Sequence, residues 1–334
     1  MHTRVDPLAD VRGRLVGLDD PPEPVTGPVV VGCSGGPDST ALLALVADRG
    51  LAPVAVHVDH GLRAGGADEA DTVRVFAAAL GVAFDARTVE VGHGGNLEAR
   101  ARTARYAALA TAADDHGASS VLVGHTADDQ AETVLLALLR GSAASGLAGM
   151  PVRRGRIVRP LLRLRRAETE AICVGLGLDP VRDPSNDDTS LRRSWIRHEV
   201  LPMLAVGAGR DLVPVLNRQA DILRTETEYL DALARAAWPT PLVDAAGSVS
   251  SGDRRPGRPS PGPGPDLAPA ATLAQLPLAL ARRAVRCWLG APPPSFDEVE
   301  RVLAVARGDA RGTELAGGRQ VRRSAGQLSL AGPQ

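Results

Sequence analysis

Lysine is absent from all 334 residues, so each of the 38 basic side chains counted as Lys+Arg is an arginine. That excludes the P-loop, whose lysine reaches the terminal phosphates of a bound nucleotide. Cysteine is scarce: Cys33, Cys173 and Cys287 lie far apart with no Cys-x-x-Cys pair. Such usage offers no zinc or iron–sulfur framework and fits a reduced cytosolic protein. Aromatic residues make up 2% of the chain, which leaves the cores to aliphatic side chains. No run approaches the ~18 apolar residues of a membrane span, and Met1 to Asp6 opens without the apolar stretch of a secretory leader. The expectation is a cytoplasmic protein with no membrane partner. A formal net charge of −1 argues against a general basic coat for polyanions but permits a local patch.

What is present is an alternation. Strand-like apolar runs at Val29 to Val31, Pro53 to Val58, Val82 to Val89 and Val121 to Gly124 are separated by helical patterns near Thr40 to Asp48, Ala67 to Leu80 and Leu97 to His116. This rhythm predicts an α/β fold with a doubly wound, mostly parallel sheet. Ligands of such sheets sit beyond the carboxyl ends of the strands, where Ser34 to Ser39, Asp59-His60 and His125 to Asp129 gather polar groups in one crevice.

The length has room for two domains. The expected layout is an N-terminal extension over 1–26, a nucleotide-binding catalytic domain over 27–205, and a smaller, mainly helical domain over 206–334 that positions substrate. Apolar spacing predicts one long amphipathic helix over Asp211 to Trp238, then helices near Leu273 to Leu289 and Phe296 to Ala306, and a closing hairpin at Gly317-Gly318. The Gly-, Pro- and Ser-rich stretch 247–269 reads as a disordered insertion.

The most informative segment is Gly32-Cys33-Ser34-Gly35-Gly36-Pro37-Asp38-Ser39, a glycine loop between the first strand and the first helix. Backbone N–H groups and the positive end of a helix dipole converge at such a junction, and the glycines let phosphate oxygens approach the main chain. Ser34 and Ser39 add hydroxyl donors, and Asp38 is placed to hold a Mg²⁺ that travels with the nucleotide. At the end of the second strand, His57-Val58-Asp59-His60 suggests metal, but alternation sends neighbouring residues to opposite faces. At most His60 or Asp59 is then expected to face the crevice, with His57 structural.

Two further segments carry chemistry. In Asn96 to Tyr106, Asn96 is a suitable N-cap, and Glu98 with Arg102, or Arg102 with Tyr106, are neighbours on one helical face. In Gly124-His125-Thr126-Ala127-Asp128-Asp129-Gln130-Ala131-Glu132-Thr133, acids open a helix and complement its dipole. Capping explains one of them but not His125, Asp128, Asp129 and Glu132 together. Asp129 and Glu132 stand i,i+3, a spacing suited to an ammonium group or a metal.

Ser34-Gly35-Gly36-Pro37-Asp38-Ser39 resembles the loop of the PP-loop ATP pyrophosphatases, which cleave ATP to AMP and pyrophosphate while adenylating an oxygen. Glu98, Ala101, Arg102, Arg105 and Tyr106 resemble the Glu-x-x-Ala-Arg-x-x-Arg-Tyr pattern of the lysidine synthetases within that family. Gly146 to Met150, Arg159-Pro160-Leu161-Leu162 and Asp183-Pro184-Ser185-Asn186 follow in a similar order, so the likeness spans about residues 28 to 202. It departs where the family usually reads Arg-Asn, two variable residues and Arg: Arg193 and Arg197 are present, but Ser194 stands in place of the asparagine.

The resemblance implies ATP and Mg²⁺ as cofactors, with Ser34, Gly35, Gly36, Pro37, Asp38, Ser39, Val58, His60 and His125 around the nucleotide. It implies Asp38, Arg105, Asp129 and Glu132 as catalytic residues, and Asp128, Asp129, Glu132, Asn186, Arg193 and Arg197 on the substrate side. The implied substrates are L-lysine and an isoleucine tRNA with anticodon CAU, and a homodimer is compatible with the sequence. Arg153 to Arg166 holds seven arginines and no acid, a solvated loop or a patch for tRNA phosphates. Against longer members the chain is expected to carry one appended domain and to recognise less of the tRNA. Two alternatives stay open: another PP-loop tRNA-modifying enzyme, and an ATP-binding protein without catalysis.

Overall fold

The computed structural model describes residues 6–20, 24–61, 66–92, 97–181, 188–238 and 267–332, which form two compact units, Met1–Arg224 and Thr225–Gln334. In the first, β1 (Pro28–Gly32), α1 (Pro37–Asp48), β2 (Ala52–Asp59), α2 (Gly66–Ala79), β3 (Ala83–Thr88), α3 (Leu97–Asp115), β4 (Ser120–Val123) and α4 (Ala127–Leu139) alternate as the sequence predicts. The short helix α5 (Ala144–Leu147), the two-residue strands β5 (Arg153–Arg154) and β6 (Ile157–Val158), and α6 (Arg166–Leu176) follow. The sheet order is β3-β2-β1-β4-β6-β5, with β5 alone antiparallel.

Central strand β1 explains the layering. Val29, Val30 and Val31 are all fully buried, as parallel strands covered on both faces require. Val29 and Val31 join a cluster with Leu42, Leu45 and Val46 of α1, Val73 of α2 and Ile172 of α6. Val30 points the other way, into Leu109, Ala112 and Ala113 of α3. Residues expected to form an extension also enter the core: Leu8, Val11, Leu18 and Val25 are buried in the first cluster.

The strand order reverses at β1, between β2 and β4, so the crevice opens at their carboxyl ends. Gly124 brings the end of β4 against the start of α1. A Cβ there would lie 2.9 Å from the Asp38 backbone carbonyl.

Beyond α6 the chain forms α7 (Arg192–Trp195), a π-helical turn over Ile196–Val200, and α8 (Leu201–Ala208), then α9 (Val213–Ala237). The two units divide within α9, later than the expected boundary at 205/206, because Val213 and Leu216 pack on Ala127 and Ala131 of α4. Asn96, Asn186 and most of the 247–269 insertion lie outside the described residues; the last three positions of that stretch form strand β7 (Leu267–Pro269).

In the second unit, α10 (Ala270–Gln275), α11 (Leu278–Leu289) and α12 (Phe296–Arg307) precede β8 (Gly312–Glu314), β9 (Gln320–Ser324) and β10 (Gln327–Ala331). The single helix expected over 273–289 is two, broken at Leu276 ahead of Pro277, whose neighbour is steered into extended backbone. The Gly317-Gly318 hairpin is present between β8 and β9, and a second turn at Ala325-Gly326 adds β10. Trp238 and Trp288 meet edge to face, centroids 5.7 Å apart, among Leu273, Val285, Val302, Leu303, Val321 and Leu328. No helix among the described residues is long and apolar enough to cross a membrane.

Candidate active site

A cleft of about 390 Å³ lies at the predicted crevice, lined among others by Ser34, Asp38, Ser39, Val58, His60, Arg105 and His125. The loop after β1 is held from within. Ser39 Oγ accepts from the Ser34 amide at 3.1 Å and donates to the Gly36 carbonyl at 3.0 Å. The Val181 amide donates to the Gly35 carbonyl at 2.9 Å, and Gly35 takes φ +81°, a left-handed conformation that favours glycine. Ser39, expected as a phosphate donor, is buried, and its hydroxyl braces the loop where it lines the cleft. Ser34 remains exposed and lines the cleft, and the Gly35 and Gly36 amides, ahead of Pro37 at the first turn of α1, donate to no described residue. That is an anion cradle made of main chain and hydroxyl.

His57 departs from expectation. The strand ends at Asp59, and the cleft beyond it takes residues from both faces, so His57, Val58, Asp59 and His60 all line it. His57 Nδ1 lies 3.1 Å from the Cys33 carbonyl. A carbonyl only accepts, so Nδ1 carries the proton, and in the neutral ring Nε2 is a buried acceptor without a partner. Asp59 is occupied by the Gly61 amide at 2.9 Å. Burial, then the Arg105 charge, lower the His60 pKa, and burial drives that of His125 well down. Both therefore present neutral imidazoles. Arg105 lies over the Tyr106 ring, 5.4 Å from its centroid, and its Nε has no partner among the described residues.

Asp38 is the cleft's largely buried acid. Burial raises its pKa to about 6, against the lowering pull of Arg166 and of the Thr169 hydroxyl. Thr169 Oγ1 donates to Asp38 Oδ1, and Arg166 Nε sits 3.5 Å from Oδ2. A carboxylate whose charge is incompletely compensated suits a cation. Among the described residues no group of three His, Cys, Asp or Glu could hold a metal ion. Mg²⁺ is typically held by one or two carboxylates and the substrate's phosphates, so Asp38 fits an ion that arrives with a nucleotide.

Behind Asp38 stands a cluster that sequence spacing revealed only in half. Thr126 caps α4, its amide and hydroxyl donating to Asp129 Oδ2 at 2.8 and 3.0 Å. Asp129 Oδ1 holds Arg166 Nη2 at 2.9 Å. Glu132, 0% exposed, is ringed by Arg197 Nε at 2.7 Å, Arg193 Nε at 3.0 Å and Arg166 Nη1 at 3.5 Å. Arg197 rides on the π-helical turn one turn after Arg193, which lets both reach one carboxylate. Asp128 pairs with Arg165 at 3.0 Å.

Sequence spacing makes Asp129 and Glu132 suited to an ammonium group or a metal; in the structure guanidiniums hold both, and neither is among the residues lining the cleft. Burial would raise the Asp129 carboxyl, but Arg166, Arg193 and the Thr126 amide outweigh it and keep it below the usual range. Arg193 and Arg197 meet Glu132 as its counter-charges. Arg166 and Thr169 were missed as site residues. The only signal was the acid-free arginine run, and the structure disperses that run: Arg166 enters the cluster, Arg159 is buried against the Pro151 carbonyl, and Arg156 pairs with Asp114.

The PP-loop domain family matches residues 19–204, and the TilS substrate-binding domain matches residues 269–329. The chain is 41% identical to a tRNA(Ile)-lysidine synthase of Thermobifida fusca, covering 91% of each sequence. It is 40% identical to that of Salinispora tropica, over 97% of this chain and 95% of the relative. A longer relative from Deinococcus deserti is 37% identical over 99% of this chain, which spans 55% of that protein. The solved U34-tRNA thiolase NcsA of Methanococcus maripaludis superposes with a TM-score of 0.53 at 18% identity, over 65% of this chain and 78% of that one, a likeness of fold.

Proposed function

The chain belongs to the tRNA(Ile)-lysidine synthase family, and from that premise we propose that it joins the ε-amine of L-lysine to C2 of the wobble cytidine in a CAU-anticodon isoleucine tRNA, cleaving ATP to AMP and pyrophosphate. One observation carries the reading: Arg166 touches Asp38 on the nucleotide side and Asp129 and Glu132 on the other. A single side chain thereby links the adenylating half of the site to the half assigned to the amine.

In the first step cytidine O2 attacks the α-phosphorus and pyrophosphate leaves. The Gly35 and Gly36 amides and the Ser34 hydroxyl hold the leaving group, and the free Arg105 Nε offers a fixed donor where charge builds on phosphate oxygens. Mg²⁺ bound with ATP, held by Asp38, would supply further neutralisation of the phosphates. His57 Nε2 accepts from a nucleotide N–H or O–H, which relieves its burial without a partner. Val58 and the neutral His60 and His125 complete the wall around the nucleoside.

In the second step the lysine ε-ammonium loses a proton to solvent, the neutral amine attacks C2, and AMP departs with the O2 oxygen. An amino acid carries both signs of charge, and the cluster of Asp128, Asp129 and Glu132 with Arg193 and Arg197 offers both. The lowered pKa of Asp129 suits it to holding a cation rather than to taking the amine's proton. Admission of lysine therefore requires a guanidinium to give way, and Arg193, the most exposed of the three on Glu132, is the one placed to do so.

The test incubates the protein with ATP, labelled lysine and CAU-anticodon tRNA(Ile). Lysine incorporation with one AMP and one pyrophosphate per product supports the reading; ATP binding without incorporation refutes it.

A further inference from the structure

A second cavity, of about 500 Å³, lies on the other flank of the start of α4. His125, just before that helix, lines the nucleotide cleft, whereas Ala127 and Gln130 line this cavity, so the two share the first turn of α4 as a wall. The cavity's lining carries Arg14, Arg163, Arg165, Arg218 and Arg224 against a single acid, Asp221. Three of these arginines are paired: Arg14 with Glu168, Arg165 with Asp128 and Asp211, and Arg224 with Asp221. Arg163 and Arg218 are exposed and have no acidic partner among the described residues. Like charges crowded around a concavity focus the potential and call for an anion, and guanidinium forks suit phosphate geometry.

Asn217 narrows the choice of anion. Its Nδ2 donates to the Ala127 carbonyl at 2.9 Å, which fixes the orientation of the amide, and its Oδ1 is shielded from solvent with no partner among the described residues. A shielded acceptor at the wall of a binding cavity calls for a donor from the ligand. A ribonucleotide backbone supplies both requirements, a phosphodiester for the arginines and a 2′-hydroxyl for the amide oxygen.

We propose that this cavity binds the ribose–phosphate backbone of a nucleotide flanking the reacting cytidine, a placement that rests on the tRNA-modifying reading above. Backbone contacts of this kind set register without reading bases. The shared wall then ties the grip on the RNA to the position of His125 in the cleft.

The test uses the full-length enzyme and Arg163→Gln, Arg218→Gln and their double variant, all at exposed positions without acid partners. Affinity for CAU-anticodon tRNA(Ile) is measured across a salt series, with the tRNA KM, kcat at saturating tRNA and the ATP dissociation constant. The expected result is a salt slope reduced by about 0.7 per arginine and, for the double variant, an affinity loss on the order of 10-fold. The tRNA KM rises in parallel, while kcat and ATP binding stay within about twofold of wild type. Wild type is also expected to prefer an all-ribose anticodon stem-loop over a 2′-deoxy one, and Asn217→Ala to lose that preference. An unchanged salt slope and tRNA KM in the double variant overturn the proposal. So does a loss confined to binding of inorganic pyrophosphate, which would make the cavity a site for the leaving group. A wild-type enzyme that binds tRNA yet forms no lysidine would refute the functional reading and leave this binding test decisive.

Discussion

Replacing Asp38 by asparagine is expected to inactivate the enzyme and stabilise the ligand-free protein at neutral pH. Burial lifts the carboxyl from its ordinary value of 3.8 to about 6. Below pH 3.8 the acid is protonated in both folded and unfolded chains and costs nothing. Between 3.8 and 6 the folded chain binds more protons than the unfolded one, so stability falls as pH rises, and above 6 the cost is constant. At about 1.36 kcal/mol per pH unit the full cost is about 3 kcal/mol. The Asp38→Asn side chain has nearly the same shape, can still accept from Thr169, and gives up only the 3.5 Å pair with Arg166. The expected gain at pH 7 is therefore about 2–3 kcal/mol, or roughly 5–10 °C in the melting temperature of the first unit. Parallel urea titrations of wild type and variant from pH 3.5 to 7.5 isolate the effect from other carboxylates. Their difference should be near zero at pH 3.5 and reach its plateau above pH 6. A flat difference curve, or a variant less stable at pH 7, would refute the argument that Asp38 is held as an uncompensated charge awaiting a cation.

Glu132→Gln should destabilise the protein by about 3–5 kcal/mol, because three guanidiniums lose their buried counter-charge; a urea midpoint equivalent to less than 1 kcal/mol of loss would show that they rehydrate freely. Gly124→Ala forces a methyl to 2.9 Å from the Asp38 backbone, so calorimetry should find ATP affinity at least tenfold weaker, and wild-type affinity would show that the loop can retreat. Arg105→Gln should lower kcat about 100-fold with the ATP KM within threefold, the signature of a contact made in the transition state; a change in KM alone would make Arg105 a ground-state ligand.

The sequence disclosed what is local. Three consecutive valines bounded by proline and glycine announce a central parallel strand, and the loop that follows announces its anion, because strand, turn and helix start are written in one stretch of about twenty residues. The hairpin of β5 and β6 was hidden because each strand is two residues long, too short for any alternation to show, and β5 is two arginines. The acids of α4 were visible, but their counter-charges were not. Arg166, Arg193 and Arg197 come from segments 34 or more residues further along the chain, and their pairing with Asp129 and Glu132 is fixed only by tertiary packing. Read alone, the acids suggest a place for an ammonium group or a metal; with their partners they form an ionic lattice in which each carboxylate already holds a guanidinium.

The missing lysines bear on the proposed entry of lysine into this cluster. An adenylated cytidine is an electrophile that any well-placed primary amine could capture. A lysine side chain in the wall of the site would be such an amine, whereas a guanidinium, always protonated and delocalised, is not a competent nucleophile. Among the described residues the groups paired with Asp129 and Glu132 are arginines, so the charges of these acids are balanced by groups that cannot react with the intermediate. Charge neutrality and chemical inertness are thus supplied by the same residues. It follows that introducing a lysine at the cluster differs in kind from introducing any neutral residue. Arg193→Lys keeps the charge but places an ε-amine within reach of Glu132, and mass spectrometry of the enzyme after turnover without free lysine should find a covalent enzyme–tRNA adduct. Its absence, with adenylation intact, would show that the cluster lies too far from C2 to deliver any amine.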